Sequence, residues 1–444
     1  MEPLRFAEMD RSLWAVMAGT FTLRFSTGLT GAMLSVYLSQ LPAHGGEAVT
    51  ASTVGVLSAA FFASELVLSP FFGVLSDRIG HHRVMLFGPA FGAVAVILTG
   101  LTTNLVILGG TRLLEGASTA ASVPSILGYI ALATATSELL RGKAAARFEG
   151  ATLAGIGAGI AIAPLLFAAL GPMAFFLNAL IYGVSFLIYQ FGVADRDSDE
   201  RQAAAIARKE SGRRSGFARY RSIVGNQYVL LLAPTWIAVN ASIGLWFSQS
   251  IFQFSKADPR FPDQFLLQGF APIQITIAVI VIGVVFAAGL IWWGNRFRTL
   301  RRTTIIFYGI LGGGVMAVGV MAINHGAPDQ LLVTAIGALA AAVGLFVLAG
   351  ATPAALGLLA DISERFPTDR GAIMGLYSVF LAIGQITGSL IGGQAANWLG
   401  IDGLLIATVA LLGIALIPLG FLRRQEHEVS GLGSVPVVHP EPTP

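Results

Sequence analysis

The sequence predicts an all-α integral membrane protein of twelve transmembrane helices in two pseudo-symmetric six-helix bundles. Three observations lead there. Of 444 residues, 55% are hydrophobic and only 11% are charged, against about 25% charged in soluble domains. The apolar residues gather into segments that reach the ~20 residues a helix needs to cross a bilayer. Residue clusters of the first half recur in the second half at one constant shift.

Six spans are expected near Leu13–Leu38, Thr53–Leu75, Val84–Leu101, Leu105–Thr134, Phe148–Leu170 and Met173–Val193. Six more are expected near Tyr228–Phe254, Phe270–Trp293, Thr304–Ile323, Leu331–Ala360, Ile373–Leu399 and Leu404–Leu422. Between the sets, Asp195–Asn226 carries five acidic and eight basic residues, which reads as a linker held at the membrane surface. The expected division is a bundle over 1–194, a linker over 195–227, a bundle over 228–424 and a Pro-rich disordered tail over 425–444. Met1–Arg11 is polar and the first span is too long for a signal-peptide core, so no cleavable signal is expected.

The repeat supports two equivalent bundles. Pro124, Leu127 and Gly128 answer Pro353, Leu356 and Gly357. Arg141-Gly142 answers Arg370-Gly371, and Gly155 and Gly159 answer Gly384 and Gly388. Leu170-Gly171 answers Leu399-Gly400. Both halves start from the same membrane side, so the repeat is parallel, with its axis along the membrane normal.

Charge sets the orientation. Of 27 Lys and Arg, Arg24 and Arg112 lie inside spans, and Lys256 and Arg260 follow the seventh. The rest fall on the side that holds both termini, which the positive-inside rule makes cytoplasmic. The net charge of +3 thus reports topology, and no nucleic-acid partner is expected. The chain has no Cys, which excludes disulfides and thiol ligands. No nucleophile triad, metal cluster or phosphate loop is evident, so neither enzyme activity nor a cofactor nor a metal is expected. His44, His81, His82, His325, His427 and His439 fall in loops or tails and read as solvated.

Gly73-Val-Leu-Ser-Asp77-Arg78-Ile-Gly80-His-His-Arg83 joins the second and third spans. Its glycines permit close approach or positive φ, and Asp77 can face a helix N-terminus. The run resembles the signature G-x-x-x-D-R-x-G-R-R of the major facilitator superfamily, at the place where that family carries it. His81 and His82 stand where the family writes Arg or Lys, and Arg83 restores part of the charge. The resemblance implies a cytoplasmic gate of Gly73, Asp77, Arg78, Gly80 and Arg83, with Asp77 meeting the start of the eleventh span near Arg370. It also implies an alternating-access transporter with its substrate near the midplane.

Four charges lie deep in the first bundle. Arg24 lies ~16 Å and Glu65 ~15 Å from the same surface at 1.5 Å per residue, so an Arg24–Glu65 pair is expected. Intramembrane charges pair, face a cavity or work. A carboxylate beside a fixed cation can load and release a proton, or simply brace two helices. Arg112 and Glu115 are i, i+3 on one helix face. Arg112-Leu-Leu-Glu115-Gly116 resembles the superfamily's R-x-x-x-G motif, which implies a role for Arg112 in proton transfer, with Glu115 added from its position.

Gly155 and Gly159, with Gly384 and Gly388, form small-residue stripes that let helices approach. The resemblance makes them a helix seam on which the halves rock; tight packing alone is the other reading. Gly159 and Pro164 match only part of a drug-exporter signature. In the second half the resemblance turns Trp236, Asn240, Trp246 and Gln249 towards the substrate cavity. Trp292-Trp293 reads as an interfacial belt.

The expectation is a multi-pass cell-membrane protein, monomeric, with both termini cytoplasmic, surrounded by membrane lipids. It would export small amphipathic or cationic compounds by proton antiport. A lipid or glycolipid flippase and a non-transporting membrane assembly factor are the rival readings.

Overall fold

The computed structural model describes residues 11–135, 137–195, 227–326, 330–364 and 370–429. The expected linker beyond Asp195 and the tail beyond Val429 lie outside the described residues. Helices form nearly everything described: α1 (Arg11–Ser39), α2 (Ala51–Ile79), α3 (His81–Met85), α4 (Phe87–Gly100), α5 (Leu105–Ala133), α6 (Glu138–Leu170) and α7 (Met173–Gly192). They continue with α8 (Gln227–Ser255), α9 (Pro272–Gly294), α10 (Arg302–Asn324), α11 (Leu331–Ala349), α12 (Ala351–Glu364) and α13 (Arg370–Val429).

Polar caps start several helices. The Thr50 hydroxyl accepts from the Thr53 amide, the Asn104 carboxamide oxygen from Val106 and Ile107, and the Ser137 hydroxyl from Leu140. Each satisfies an amide that the first turn leaves without a helical partner. Among the described residues ten helical segments are long and apolar enough to cross a membrane. The last of these is interrupted by a non-helical residue, Gly400. The 29-residue α1, with Arg24 at its middle, is also of spanning length. The count agrees with twelve spans.

The chain folds into two compact units. The first holds the described part of Met1–Arg213 with Ile243–Gly283 and Gln385–Leu404. Here α1 and α6 meet backbone to backbone: a methyl added at Gly159 or Gly28 would strike the carbonyl of Phe25 or Ile156. Phe72, Val84, Ala117, Ala120 and Ala121 form a core between α2, α3 and α5. Outward residues are as apolar as the core, with Val67 71% and Phe71 60% exposed. That inversion is what lipid as solvent demands.

The second unit holds the described parts of Arg214–Ser242, Val284–Gly384 and Leu405–Pro444. Glycines close α10 onto α11: Gly312 and Gly344 face each other's helix backbone, as do Gly319 and Gly337. Trp293 corrects the belt reading. It is buried, its indole N–H donates to the Phe346 carbonyl at 3.1 Å, and its ring occupies the space beside Gly350. Trp292 is the exposed one of the two. The ring sits where α11 gives way to α12, which the sequence reading had as one span.

Candidate functional site

Arg112 and Glu115 form a direct ion pair on α5. Glu115 is 1% exposed and Arg112 8%. The Arg112 guanidinium also lies over the Phe61 ring, 4.7 Å from its centroid. Gly116 completes the arrangement, because a side chain there would strike the Phe61 carbonyl. The Ser64 hydroxyl donates to the Leu113 carbonyl at 2.6 Å. The Arg-x-x-x-Gly spacing therefore seats α2 against α5, with the cation over one aromatic ring. Glu115 Oε1 is buried with no hydrogen-bond partner.

Arg24 is buried on α1, and its β-carbon packs against Gly155 of α6. Its charge acts on two carboxylates, Glu65 of α2 and Glu149 of α6. Among the described residues Arg24 closes an ion pair with neither. Arg24 and Glu65 are thus brought into electrostatic range, but as two parts of a three-helix arrangement. Hydropathy puts Glu149 at the very edge of the fifth span, one residue after its expected start at Phe148. The helix begins ten residues earlier, at Glu138, which places Glu149 well inside it.

The signature run is less of a loop than expected. α2 continues through Asp77 and Arg78 to Ile79, and Gly80 alone makes the turn, with φ 105° and ψ 137°. Asp77 is exposed, and its carboxylate lies 3.9 Å from His81 Nε2 across the Gly80 turn. Arg78 and Arg83 are exposed, and a side chain at Gly73 would meet Pro124 of α5. Arg370 begins α13, but its side chain lies outside what is described, as do those of Asp361 and Glu364; Asp369 lies outside the described residues. The solvated reading of two histidines is corrected. His81 and His82 are each 8% exposed, because they open α3 rather than a loop. His82 Nε2 lies 3.0 Å from the Tyr189 carbonyl oxygen, and the His81 ring fills the space beside Gly128. The repeat-equivalent Gly357 faces the Arg302 guanidinium instead.

In α8, Trp236 and Asn240 are buried, and the Asn240 amide donates to the Trp236 carbonyl at 2.9 Å. Asn240 packs against Gly384 as Arg24 packs against Gly155. The repeat therefore pairs a cation in one half with a neutral amide in the other. Trp246 is half-buried. Gln249 is fully buried and its Nε2 donates to the Ala51 carbonyl at 3.1 Å. That places it in a helix contact.

Two further hydrogen bonds of the first unit join helices far apart in the chain, α2 to α13 and α9 to α6. The Ser52 hydroxyl donates to the Gly393 carbonyl at 3.4 Å, and the Thr276 hydroxyl to the Ala161 carbonyl at 2.9 Å. Gly55 and Gly393 let α2 and α13 touch at the backbone. This contact needed three-dimensional information, since single polar residues near span ends carry no sequence signal of their own. Among the described residues no group of three or more His, Asp or Glu is placed to hold a metal.

The family model of the Major Facilitator Superfamily matches residues 16–344. Multidrug resistance protein 2 of Bacillus subtilis (strain 168) is 27% identical over 355 residues, covering 78% of this chain and 80% of that protein. Quinolone resistance protein NorA of Staphylococcus aureus (strain MSSA476) is 22% identical over 398 residues, covering 87% and 90%. Among solved structures, the nucleoside transporter NupG superposes with a TM-score of 0.69 at 12% identity, over 94% of this chain and 99% of that one. A peptide transporter POT in complex with sulfate gives 0.65 at 13% identity, over 96% of each chain. At those identities the structures speak for the fold alone. With the family model spanning most of its length, this multi-pass chain belongs to the Major Facilitator Superfamily and is a transporter of small molecules rather than an enzyme.

Proposed function

We propose that the protein exports small amphipathic or cationic organic compounds by proton antiport, through alternating access. The reading is supported by Arg24, a buried cation of α1 packed against Gly155 of α6, with two carboxylates within reach of its charge, the half-buried Glu65 of α2 and the exposed Glu149 of α6. Protonation of Glu65 removes one of the two negative charges competing for Arg24. The cation is then drawn towards Glu149 on α6. Because α1 and α6 meet through Gly28, Gly155 and Gly159, a shift of one along the other disengages few side chains. Arg112 and Glu115 form the second charged element of the coupling path.

The multidrug and quinolone resistance relatives, by their names, favour organic compounds as the cargo. Trp236, Asn240 and Trp246 are the proposed contacts for the compound, with Trp246 the least enclosed of the three. The bundles 1–194 and 228–424 would move with both termini cytoplasmic, as a monomer. Asp77, with Arg370 at the start of α13, would close the cytoplasmic side.

Vesicles carrying the protein and a pH gradient test this. A panel of cationic dyes and drugs should drive proton flux in the wild type and none in Glu65→Gln. Flux that survives Glu65→Gln would remove Glu65 from the coupling step. No flux with any compound, together with lipid scrambling, would replace export by lipid flipping.

A further inference from the structure

The second unit contains a cavity of about 630 Å³ lined by Arg301, Ile417, Gly420, Phe421, Arg423 and Arg424. Arg301 immediately precedes α10, and the other five belong to the last turns of α13. The cavity thus lies where one spanning helix begins and another ends, at the level of the membrane surface. Among the described residues its charged lining is all arginine, with no carboxylate. The Arg423 guanidinium rests over the Phe307 ring, 5.4 Å from its centroid, which holds it against α10. Gly420 leaves the wall open, since a side chain there would meet nothing within 4 Å.

The apolar part of the lining has a direction. Ile417, Phe421 and Arg424 follow i, i+4, i+7 spacing and so share one helix face. Ile417 is 65% and Phe421 54% exposed. Along α13 the same face therefore runs from hydrocarbon-type surface up to guanidinium groups. A free anion would satisfy the arginines and leave Ile417 and Phe421 uncovered. A molecule with a phosphate at one end and acyl chains at the other would cover both.

We propose that this cavity is a binding site for an anionic phospholipid. Its phosphate is held by Arg301, Arg423 and Arg424, and its chains lie along Ile417 and Phe421. Guanidinium groups suit phosphate because their N–H groups bond it in pairs, and basic pockets at the ends of membrane helices attract anionic headgroups.

The test is lipid titration of the detergent-solubilised full chain, read by native mass spectrometry. Phosphatidylglycerol and cardiolipin are expected to bind more tightly than phosphatidylcholine. Replacing all three arginines by Gln should weaken phosphatidylglycerol binding roughly 100-fold, at about a factor of five for each cation. Lys at the same three positions should recover part of it, since the charge stays and the paired N–H bonds are lost. If the triple variant does not fold, Arg424→Gln alone should give about a fivefold loss. Equal binding of phosphatidylcholine, or no loss on neutralisation, would overturn the site. Displacement of phosphatidylglycerol by millimolar inorganic phosphate would assign it to a free anion instead.

Discussion

Gly171 and Gly400 hold the same backbone conformation, with φ 56° and ψ −142° at the first and φ 62° and ψ −137° at the second. They are the last of the repeated sequence pairs, and each ends one long helix where the next begins. The parallel repeat is therefore written into the dihedral angles as well as into the residue types.

That region of φ/ψ space is open essentially to glycine alone, and other residues lose about 1–3 kcal/mol there. The two sites differ in their surroundings. A side chain at Gly171 would meet open space, whereas one at Gly400 would strike the Gln264 amide oxygen and Leu267. Gly400→Ala should therefore lower the thermal unfolding midpoint in detergent more than Gly171→Ala. Equal losses would mean that backbone strain alone sets the cost.

Gln249→Leu should weaken the contact between α8 and the start of α2. It removes one hydrogen bond and leaves the Ala51 carbonyl without its donor, a loss of about 1 kcal/mol or a fivefold population change. The chain has no Cys, so spin labels on single cysteines introduced in α2 and α8 report only that distance. A broader, longer distance distribution is expected. An unchanged distribution would show that the contact does not depend on this bond.

Arg112→Met strands the Glu115 carboxylate, which is 1% exposed. Breaking one side of such a buried pair costs about 3–5 kcal/mol. Adding Glu115→Gln should recover much of the loss. A double-mutant cycle on thermal stability measures the coupling, and additive effects would contradict a direct pair.

Outside the spans, the loop after α8 is clamped by Arg260. Its guanidinium donates to both Asp258 carboxylate oxygens and to the Asn397 carbonyl. The Arg260 hydrogen bond holds the Asp258 carboxyl below the usual aspartate range. The unfolded chain then binds this proton at a higher pH than the folded chain does. The clamp's contribution is complete above the ordinary aspartate pKa and is lost as pH falls through the lower folded value. Loop proteolysis should accelerate in that acid window, and Asp258→Asn should flatten the response.

The elements that were legible in the sequence rest on short-range rules. Arg112 and Glu115 meet because three residues along a helix bring them to one face. The repeated glycines were readable because their spacing is preserved. What was not legible depends on where helices continue beyond the hydrocarbon core. Hydropathy ended the second span at Leu75, but α2 runs to Ile79, so the charged signature is mostly helix. The same limit starts the fifth span ten residues late and leaves Glu149 looking like an end residue. His81 and His82 looked like loop residues because α3 is only one short turn, yet it packs inward against Gly128 and the Tyr189 carbonyl.

Among the described residues, three hydrogen bonds that join the first six helices of the chain to segments of α8, α9 and α13 share one property. Gln249, Ser52 and Thr276 all donate to main-chain carbonyls, those of Ala51, Gly393 and Ala161. A carbonyl is present whatever residue carries it. Sequence drift on the accepting side is therefore invisible to these bonds, and only the donors need to be kept. Such a fastening needs a defined rotamer on the donating side alone. Replacing the side chain at Ala51, Gly393 or Ala161 therefore leaves each fastening its acceptor, whereas replacing Gln249, Ser52 or Thr276 removes it.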